Sequence, residues 1–401
     1  MLPAIAPTRL PHFSREFEIL LACAAREGSR RANSFAGLFG EGADWDLLLR
    51  IAEHHRLIPQ LYRAVHSLSC LPEPFFTTLR RRYADNARQT LRLSRDLVQV
   101  ARKFESRQIS FLAYKGPTLA AALHWEVTER QFADIDVLVP ASLVEDAQAA
   151  LAELGYTSKS LIHAIREKSY IRSGYELAFD LPDAPNVLEL KWNILPRFYA
   201  VHFDVAELFA RSAVISVGGH PLPTLSVEDL FLVLCVHAAK HSWSELSLVR
   251  DVAQLISAQP LHWDVVREQA SRLGIQRIVC INLTLARDLL GAEIPAPTQK
   301  EFEMEQPSAD VLFRILSVAS ASQQVNTESI SYFRSILRLR ERWRDRGRFL
   351  WRLIFSSSTR QTVALPPWLS PLYFLIRMYR LAGRLKNLAL IRAIGIGHPN
   401  G

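Results

Sequence analysis

The sequence has few cysteines, and their positions exclude two common uses of this residue. The four that occur in 401 residues are scattered, and none forms a C-x-x-C pair: Cys23, Cys70, Cys235 and Cys280. Disulfide frameworks and zinc ribbons both need paired or clustered cysteines. Neither is therefore expected, and a reducing, cytoplasmic compartment is the predicted location.

Long apolar segments and familiar nucleotide-binding loops are also lacking. The N-terminal stretch MLPAIAPTRLPHF has no basic start followed by an apolar core, as a secretion signal would. No later stretch approaches the roughly 18 uncharged apolar residues of a membrane span, so no transmembrane segment is expected. The absence of GxxxxGK[ST] and GxGxxG argues against P-loop and dinucleotide folds.

The composition that is present indicates a folded protein with an uneven charge. Hydrophobic residues make up 49% of the 401-residue chain, which is enough for about two or three domains with real cores. The net charge is +8, yet fourteen Lys or Arg accompany only two acids in 331–401. Because the basic excess belongs to this C-terminal part alone, it does not indicate a nucleic-acid-binding protein as a whole.

Apolar periodicity predicts an α+β fold, a small mixed β-sheet core flanked by N-terminal and C-terminal helical regions. Short apolar or aromatic runs predict the strands: ISFLAY, DIDVLV, YELAFDL, NVLELKW and AVISV. Apolar residues at helical spacing precede and follow these predicted strands. The predicted regions are an N-terminal helical region, an α/β core, a helical domain and a basic C-terminal helical region, over 1–108, 109–225, 226–330 and 331–401.

Local signals predict where helices begin and end. Ser142 with Glu145 three residues later forms a capping box, and Gly155 closes the apolar run that follows it. Ser226 is a predicted N-cap for the first helix after the core.

Two aspartates interrupt the otherwise apolar run FADIDVLV. Side chains alternate along a strand, so Asp134 and Asp136 project from one face with Cα atoms about 6–7 Å apart. Burying both carboxylates costs several kcal/mol each unless a cation compensates. The strand end is exposed, or a base such as Arg130 pairs with the acids, or the pair binds Mg²⁺ or Mn²⁺ together with substrate phosphates.

A third acid and a glycine turn extend the metal-site interpretation. Glu189 is the acid of the strand pattern NVLELKW, on the same face as Lys191, and it is either a solvent-facing residue or the further carboxylate that a two-metal site needs. Gly116, between a strand and a predicted helix, lets backbone amides approach a phosphate. Lys115 adds a positive charge there, although a lysine before a turn can be merely solvated.

Two further sets of residues have open roles. His237 and His241 have helical i, i+4 spacing, but HAAKH lacks the glutamate of a zinc motif and no third ligand is evident. Arginines recur every fourth residue near the C-terminus, at Arg338, Arg342 and Arg346, on a predicted helix. They form either a solvated face or a surface for an anionic partner. Five tryptophans lie among aliphatic residues at helical spacings and are predicted to pack in a core: Trp243, Trp263, Trp343, Trp351 and Trp368.

Several of these motifs together resemble the uncharacterised nucleotidyltransferase family of the DNA polymerase beta-like superfamily. They are KGPTLAAALHW, R-x-x-x-DIDVLV from Arg130, LELKW, and HAAKHSW with a following Asp251. The resemblance implies Asp134, Asp136 and Glu189 as catalytic metal ligands, and Lys115, Gly116 and Arg130 as nucleotide-binding residues. The chain departs from that pattern in Pro117 after the glycine and in Lys191, where the family often has histidine.

The function that the resemblance implies is Mg²⁺- or Mn²⁺-dependent transfer of a nucleoside monophosphate from an NTP to an acceptor, with release of pyrophosphate. The acceptor is a small molecule, a sugar, a protein or an RNA end, and the sequence does not distinguish these. The alternative is a nucleotidyltransferase-like binding or regulatory module with little or no turnover.

Overall fold

The structure, a computed structural model, describes residues 13–25, 42–68, 71–124, 126–158, 171, 174–182, 184–303 and 330–354. In that part of the chain the helices α1 to α4 precede the sheet: Arg15–Ala24, Trp45–His54, Ile58–Val65 and Glu73–Ser106. Three more lie among the strands, α5 Pro117–Ala122, α6 Val144–Glu153 and α7 Val205–Ala210. The helices α8 to α14 follow: Val227–Lys240, Leu246–Ala258, Trp263–Leu273, Gln276–Leu290, Ala296–Glu303, Ile330–Leu339 and Trp343–Ile354.

The central sheet has five strands in the order β1-β2-β5-β4-β3. They are, in chain order, Leu112–Ala113, Ile135–Leu138, Thr157–Ser158, Glu176–Leu181 and Ala184–Lys191. Strands β2 and β5 are parallel, whereas the other neighbouring pairs are antiparallel. The predicted α+β class with a small mixed sheet is therefore confirmed. The predicted AVISV strand, Ala213–Val217, instead forms a separate antiparallel hairpin, β6–β7, with His220–Thr224.

Two of the three local helix signals are confirmed. Ser226 accepts a hydrogen bond from the Asp229 amide at the start of α8. Gly155 has φ +85° just after α6, and the next amide bonds back to the Leu151 carbonyl, as expected of a left-handed helix end. The predicted capping box is wrong: a 3₁₀ turn, Ala141–Leu143, precedes the helix, so the Ser142 side chain does not cap it.

The 34-residue helix α4 joins two hydrophobic cores. Its first half buries Phe75 and Leu79 among the N-terminal helices and the helices that follow the sheet. Its second half buries Leu97 and Phe104 against the sheet and helix α6. At about 1.5 Å per residue such a helix is roughly 50 Å long, so it can reach both cores. The helical lead-in and the sheet are therefore physically connected by one element.

The C-terminal arginine pattern does not lie on one helix. The helical conformation is interrupted between α13 and α14. Arg340, at the interruption, is buried beside Asp345, and its Nη2 atom is 3.7 Å from Asp345 Oδ2. Arg342 donates to the Ser271 carbonyl and Arg346 to the Arg340 carbonyl. The single helical face predicted from Arg338, Arg342 and Arg346 is therefore wrong, because two of the three arginines bond to the protein's own backbone.

The tryptophans of this region also differ from the prediction. Trp343 is 81% exposed and Trp351 is 64% exposed on helix α14. The prediction of core packing is wrong for these two tryptophans, whereas Trp243 is 3% exposed and Trp263 packs partly buried against the same core. Trp368 lies outside the described residues. Apolar spacing correctly indicated a helix, but the side that faces the core is occupied by Phe349 and Asp345. In the described part of the chain, no helix has the length and apolar character that a membrane span requires.

A buried asparagine ties together the helices that follow the sheet. Asn282 on α11 donates to the carbonyls of Cys235, 3.2 Å away, and Ile278, 2.8 Å away. Its side-chain oxygen accepts from the Trp243 indole nitrogen at 3.0 Å. All of these groups are buried, so the bonds join α8, the turn after it and α11 without solvent competition.

Replacing this asparagine should destabilise the fold. We expect Asn282→Ala to lower the free energy of unfolding by about 2–4 kcal/mol, because the buried Trp243 N–H loses its acceptor and the bond to α8 is lost. Urea denaturation followed by circular dichroism would measure it. The control is Asp288→Asn at an exposed site on the same helix, with an expected change within about 0.5 kcal/mol. Equal effects of the two substitutions would contradict the assigned role of Asn282.

Candidate active site

The parallel pairing of β2 and β5 brings three carboxylates to one face of the sheet. Asp136 on β2 is directly opposite Glu189 on β5, and Asp134 immediately precedes β2. One oxygen from each of the three carboxylates lies within 4.8 Å of the others. The structure thus brings together the three acids that the sequence predicted to lie together, while their role stays a prediction.

A buried lysine lies among these acids. Lys191, the last residue of β5, is on the same strand face as Glu189, and its side chain is only 4% exposed. Its Nζ is 2.5 Å from Glu189 Oε2, 2.6 Å from Glu176 Oε2 and 3.2 Å from Asp136 Oδ1. Glu176 begins the neighbouring strand β4 directly across from Lys191. The ammonium group is therefore surrounded by three carboxylates, and it donates hydrogen bonds to Glu176 and Glu189.

The predicted phosphate-binding turn also touches the acids. Lys115 Nζ is 3.3 Å from Asp136 Oδ1. Gly116 has φ +54°, and a Cβ placed there would lie 3.0 Å from the Asp134 carbonyl oxygen. Glycine is required here because the turn approaches the backbone of the aspartate segment so closely. Its nucleotide contact stays a prediction.

Burial and neighbouring charges shift the pKa values of the three acids in different directions. Burial and the nearby Asp136 raise the pKa of Asp134. Burial also raises the pKa of Glu189, and Lys191 only partly offsets this. For Asp136, burial opposes ionisation, but Lys115 and Lys191 together prevail and lower its pKa to about 2. Asp136 is therefore the firmly ionised acid, held between two lysines.

Helices outside the sheet fix the segment that leads to the aspartates. Gln60 of α3 donates to the Glu129 carbonyl at 2.5 Å, and Asn86 of α4 donates to the Thr128 carbonyl at 2.9 Å. The next residue, Arg130, donates through Nε and Nη2 to the two oxygens of Asp251 on α9, at 3.1 and 2.9 Å. Arg130 therefore pairs with Asp251 rather than with Asp134 or Asp136. Its predicted nucleotide contact stays untested.

The end of helix α8 contributes one lysine and two neutral histidines near the acids. Lys240 Nζ lies 5.6 Å from the centre of the Tyr175 ring, and Lys191 Nζ lies 5.7 Å from it. The rings of His237 and His241 are 4.7 Å apart. Burial, reinforced by nearby lysines, lowers the pKa of His237 far below its usual value and that of His241 to about 3. Both imidazoles are therefore uncharged at neutral pH.

Sequence reasoning placed Lys191 on the face of Glu189 without giving it a role, and it missed two other residues of this cluster, Glu176 and Lys240. Lys191 had a usable signal, since it lies two residues after Glu189 and so shares its strand face. Glu176 and Lys240 had none, because only the strand register and the packing of α8 bring them near. In the described part of the chain, the group of residues that could hold a metal ion consists of Asp134, Asp136 and Glu189. His237 and His241 are not part of it.

The carboxylates of Asp134, Asp136 and Glu189 fit a divalent cation at the oxygens that Lys191 does not contact. These donors are hard carboxylate oxygens, as Mg²⁺ or Mn²⁺ requires. Asp136 is 1% exposed, and its Oδ2 atom has no hydrogen-bond partner among the described residues. A buried carboxylate oxygen without a donor is costly, and a bound cation would satisfy it.

Comparison with known proteins identifies the class. The sequence profile of the family described as "Uncharacterised nucleotidyltransferase" matches residues 41–291. Because the match covers more than half of the chain, the protein belongs to the uncharacterised nucleotidyltransferase family. The resemblance drawn from the sequence motifs is confirmed. Membership assigns a general kind of activity, nucleotidyl transfer.

Other comparisons add little. The chain aligns with the crystal structure of an antigenic nucleotidyltransferase-like protein from Paracoccidioides brasiliensis at 13% identity, covering 55% of this chain and 96% of that chain, with a TM-score of 0.32. At that score the likeness carries no argument, and the fold is established by the strand pairing described above. A search of curated proteins found no match.

Breaking the Arg130–Asp251 pair should destabilise the segment before the aspartates. Both side chains are largely buried, with 15% and 4% exposure. We expect Asp251→Asn to lower the free energy of unfolding by about 3–5 kcal/mol, since it leaves a buried guanidinium without its counter-ion. Chemical denaturation of the two proteins would measure the difference.

The matched control removes both charges. In the double variant Arg130→Met with Asp251→Leu, no buried charge is left unpaired, so a smaller loss than that of Asp251→Asn is expected. A loss of only about 1 kcal/mol or less in Asp251→Asn, as for an exposed pair, would show that the contact does not hold this segment.

Proposed function

We propose that the protein transfers a nucleoside monophosphate from an NTP to an acceptor hydroxyl or amine. The acceptor atom attacks the α-phosphorus, the bond from that phosphorus to the bridging oxygen breaks, and pyrophosphate leaves. The observation that carries the proposal is the register of β2 and β5, which puts Asp136 beside Glu189, next to Asp134. Family membership supports the reaction class.

Each residue of the cluster has a role in the proposal. Asp134, Asp136 and Glu189 hold Mg²⁺ or Mn²⁺, which when bound neutralises charge on the triphosphate. Lys115 lies beside Asp136 at the glycine turn, where its charge attracts the anionic substrate. Gly116 allows the turn to approach Asp134 closely. Positioning and charge neutralisation provide most of the catalysis in such transfers.

The acceptor, the location and any anionic partner are less constrained. The acceptor remains a small molecule, a sugar, a protein or an RNA end. A cytoplasmic location is part of the proposal and fits the scattered, unclustered cysteines of the sequence. An anionic partner for the basic C-terminal region would meet Arg338, which is exposed, but not the backbone-bonded Arg342.

A second candidate function is a nucleotide-binding or regulatory module with little or no turnover. The contacts of Lys191 with Asp136 and Glu189 favour it, because they occupy carboxylate oxygens that a catalytic site needs for cations. Metal-dependent consumption of an NTP separates the two functions. Purified protein would be incubated with Mg²⁺ or Mn²⁺ and each labelled NTP, and transfer of label to fractions of a cell extract would be followed. Binding of NTP without transfer or pyrophosphate release would favour the module.

Asp134 offers the cleanest test of the catalytic role. The hydrogen bonds of Lys115 and Lys191 go to the other acids and none goes to Asp134. We expect Asp134→Asn to reduce NTP turnover at least about 100-fold, since a ligand for the metal is lost. Because the pKa of Asp134 is raised in the folded protein, removing its charge should leave the melting temperature at neutral pH unchanged or higher.

The control is Asp146→Asn, which changes an exposed acid on helix α6, in the same α/β region of the chain. Turnover and melting temperature should both stay at the wild-type values. Wild-type turnover in Asp134→Asn would reject Asp134 as a metal ligand. A large drop in its melting temperature would instead show that the aspartate stabilises the fold.

A further inference from the structure

Lys191 occupies the place between two of the three proposed metal ligands. Its Nζ lies between Asp136 Oδ1, at 3.2 Å, and Glu189 Oε2, at 2.5 Å. Mg²⁺ bound between the same two carboxylates would need their oxygens at about 2.1 Å. An ammonium group and a metal ion cannot fill this position together. Glu176, 2.6 Å from the same nitrogen, holds the ammonium from a third side.

Other oxygens of the acids are not in contact with Lys191. Asp136 Oδ2 is buried and has no hydrogen-bond partner among the described residues. Asp134 precedes the strand on the same face, and neither Lys115 nor Lys191 bonds to it. These oxygens offer one cation position that the lysine does not occupy.

We propose that the Lys191 ammonium holds the cation position between Asp136 and Glu189, so that the three acids bind one divalent ion, on the Asp134 side, instead of two. This inference depends on the proposed function in taking the three acids as metal ligands. It adds that the Lys191 ammonium takes the place that the second ion would have in a two-metal site.

The charges of the cluster agree with a single ion. Four carboxylates meet here, Asp134, Asp136, Glu176 and Glu189, and the ammonium groups of Lys115 and Lys191 are in contact with them. These six groups leave two negative charges for one divalent ion, and Lys240 beside Tyr175 adds a further positive charge nearby. A second ion would leave an excess of positive charge in a largely buried place, which is costly without the nucleotide.

The test is the number of Mn²⁺ ions that the full chain binds without nucleotide. Titration of the protein with Mn²⁺, with free ion followed by electron paramagnetic resonance, gives the count. We expect one ion in the wild-type protein and one more in Lys191→Met, whose side chain is similar in length but uncharged. Lys240→Met is the matched control: it removes a lysine charge near Tyr175 without vacating the position between the acids, so its count should equal that of the wild type.

A second variant covers the case in which Lys191→Met does not fold. Lys191→Met combined with Glu176→Gln removes one positive and one negative charge, so the net charge of the cluster is kept. Circular dichroism would show which variants fold, and the double variant should also gain one ion. If neither folds, the wild-type count decides: one ion supports the proposal and two overturn it.

Equal or smaller counts in the folded Lys191 variants than in the wild type would overturn the proposal. An equal gain in Lys240→Met would also overturn it, since the effect would then be charge alone. Label transfer from NTP is measured separately. One ion without transfer would keep this proposal and reject the proposed function, whereas two ions with transfer would do the reverse.

Discussion

The contact of Lys191 with Asp136, Glu176 and Glu189 is the interaction on which the acidic face of the sheet depends. Several carboxylates on one largely buried face repel each other and lose hydration, so the fold needs a cation among them. Lys191 supplies it from the end of β5, where its Nζ lies within 3.2 Å of an oxygen of each of these three acids. A polar network with satisfied partners can be buried, whereas a partly satisfied one is costly.

The same contact divides the acids into two kinds. Asp136 is firmly ionised between Lys115 and Lys191, with a pKa of about 2. Asp134 and Glu189 have raised pKa values, because burial outweighs the help that they receive from the lysines. Asp136 has both lysines beside it, whereas only Lys191 contacts Glu189 and neither lysine bonds to Asp134.

The helices outside the sheet are part of the site's construction. Gln60, Asn86 and Asp251 come from three helices, and all bind the short stretch that leads to Asp134. The helix Glu73–Ser106 packs against both cores, so the N-terminal helices and the sheet are held in one arrangement. The geometry of the acids therefore depends on contacts between residues far apart in sequence.

The sequence by itself determined the features that follow from local pattern. Alternation along a strand placed Asp134 and Asp136 on one face, and the acid within an apolar strand identified Glu189 as their companion. The α+β class and the Ser226 cap followed from periodicity and capping chemistry. Each of these signals depends on residues a few positions apart, although the equally local Ser142 capping box is wrong because a 3₁₀ turn precedes the helix.

Only the tertiary structure decided which charges meet. Lys191 and Glu176 are 15 residues apart and Arg130 and Asp251 are 121 apart, and no periodicity pairs such residues. The C-terminal arginines show the same limit: their spacing predicted one helical face, whereas a buried Arg340 and carbonyls of a neighbouring helix break it. Local pattern fixes the face of an element on which a side chain lies, but the register and packing between elements decide what lies opposite it.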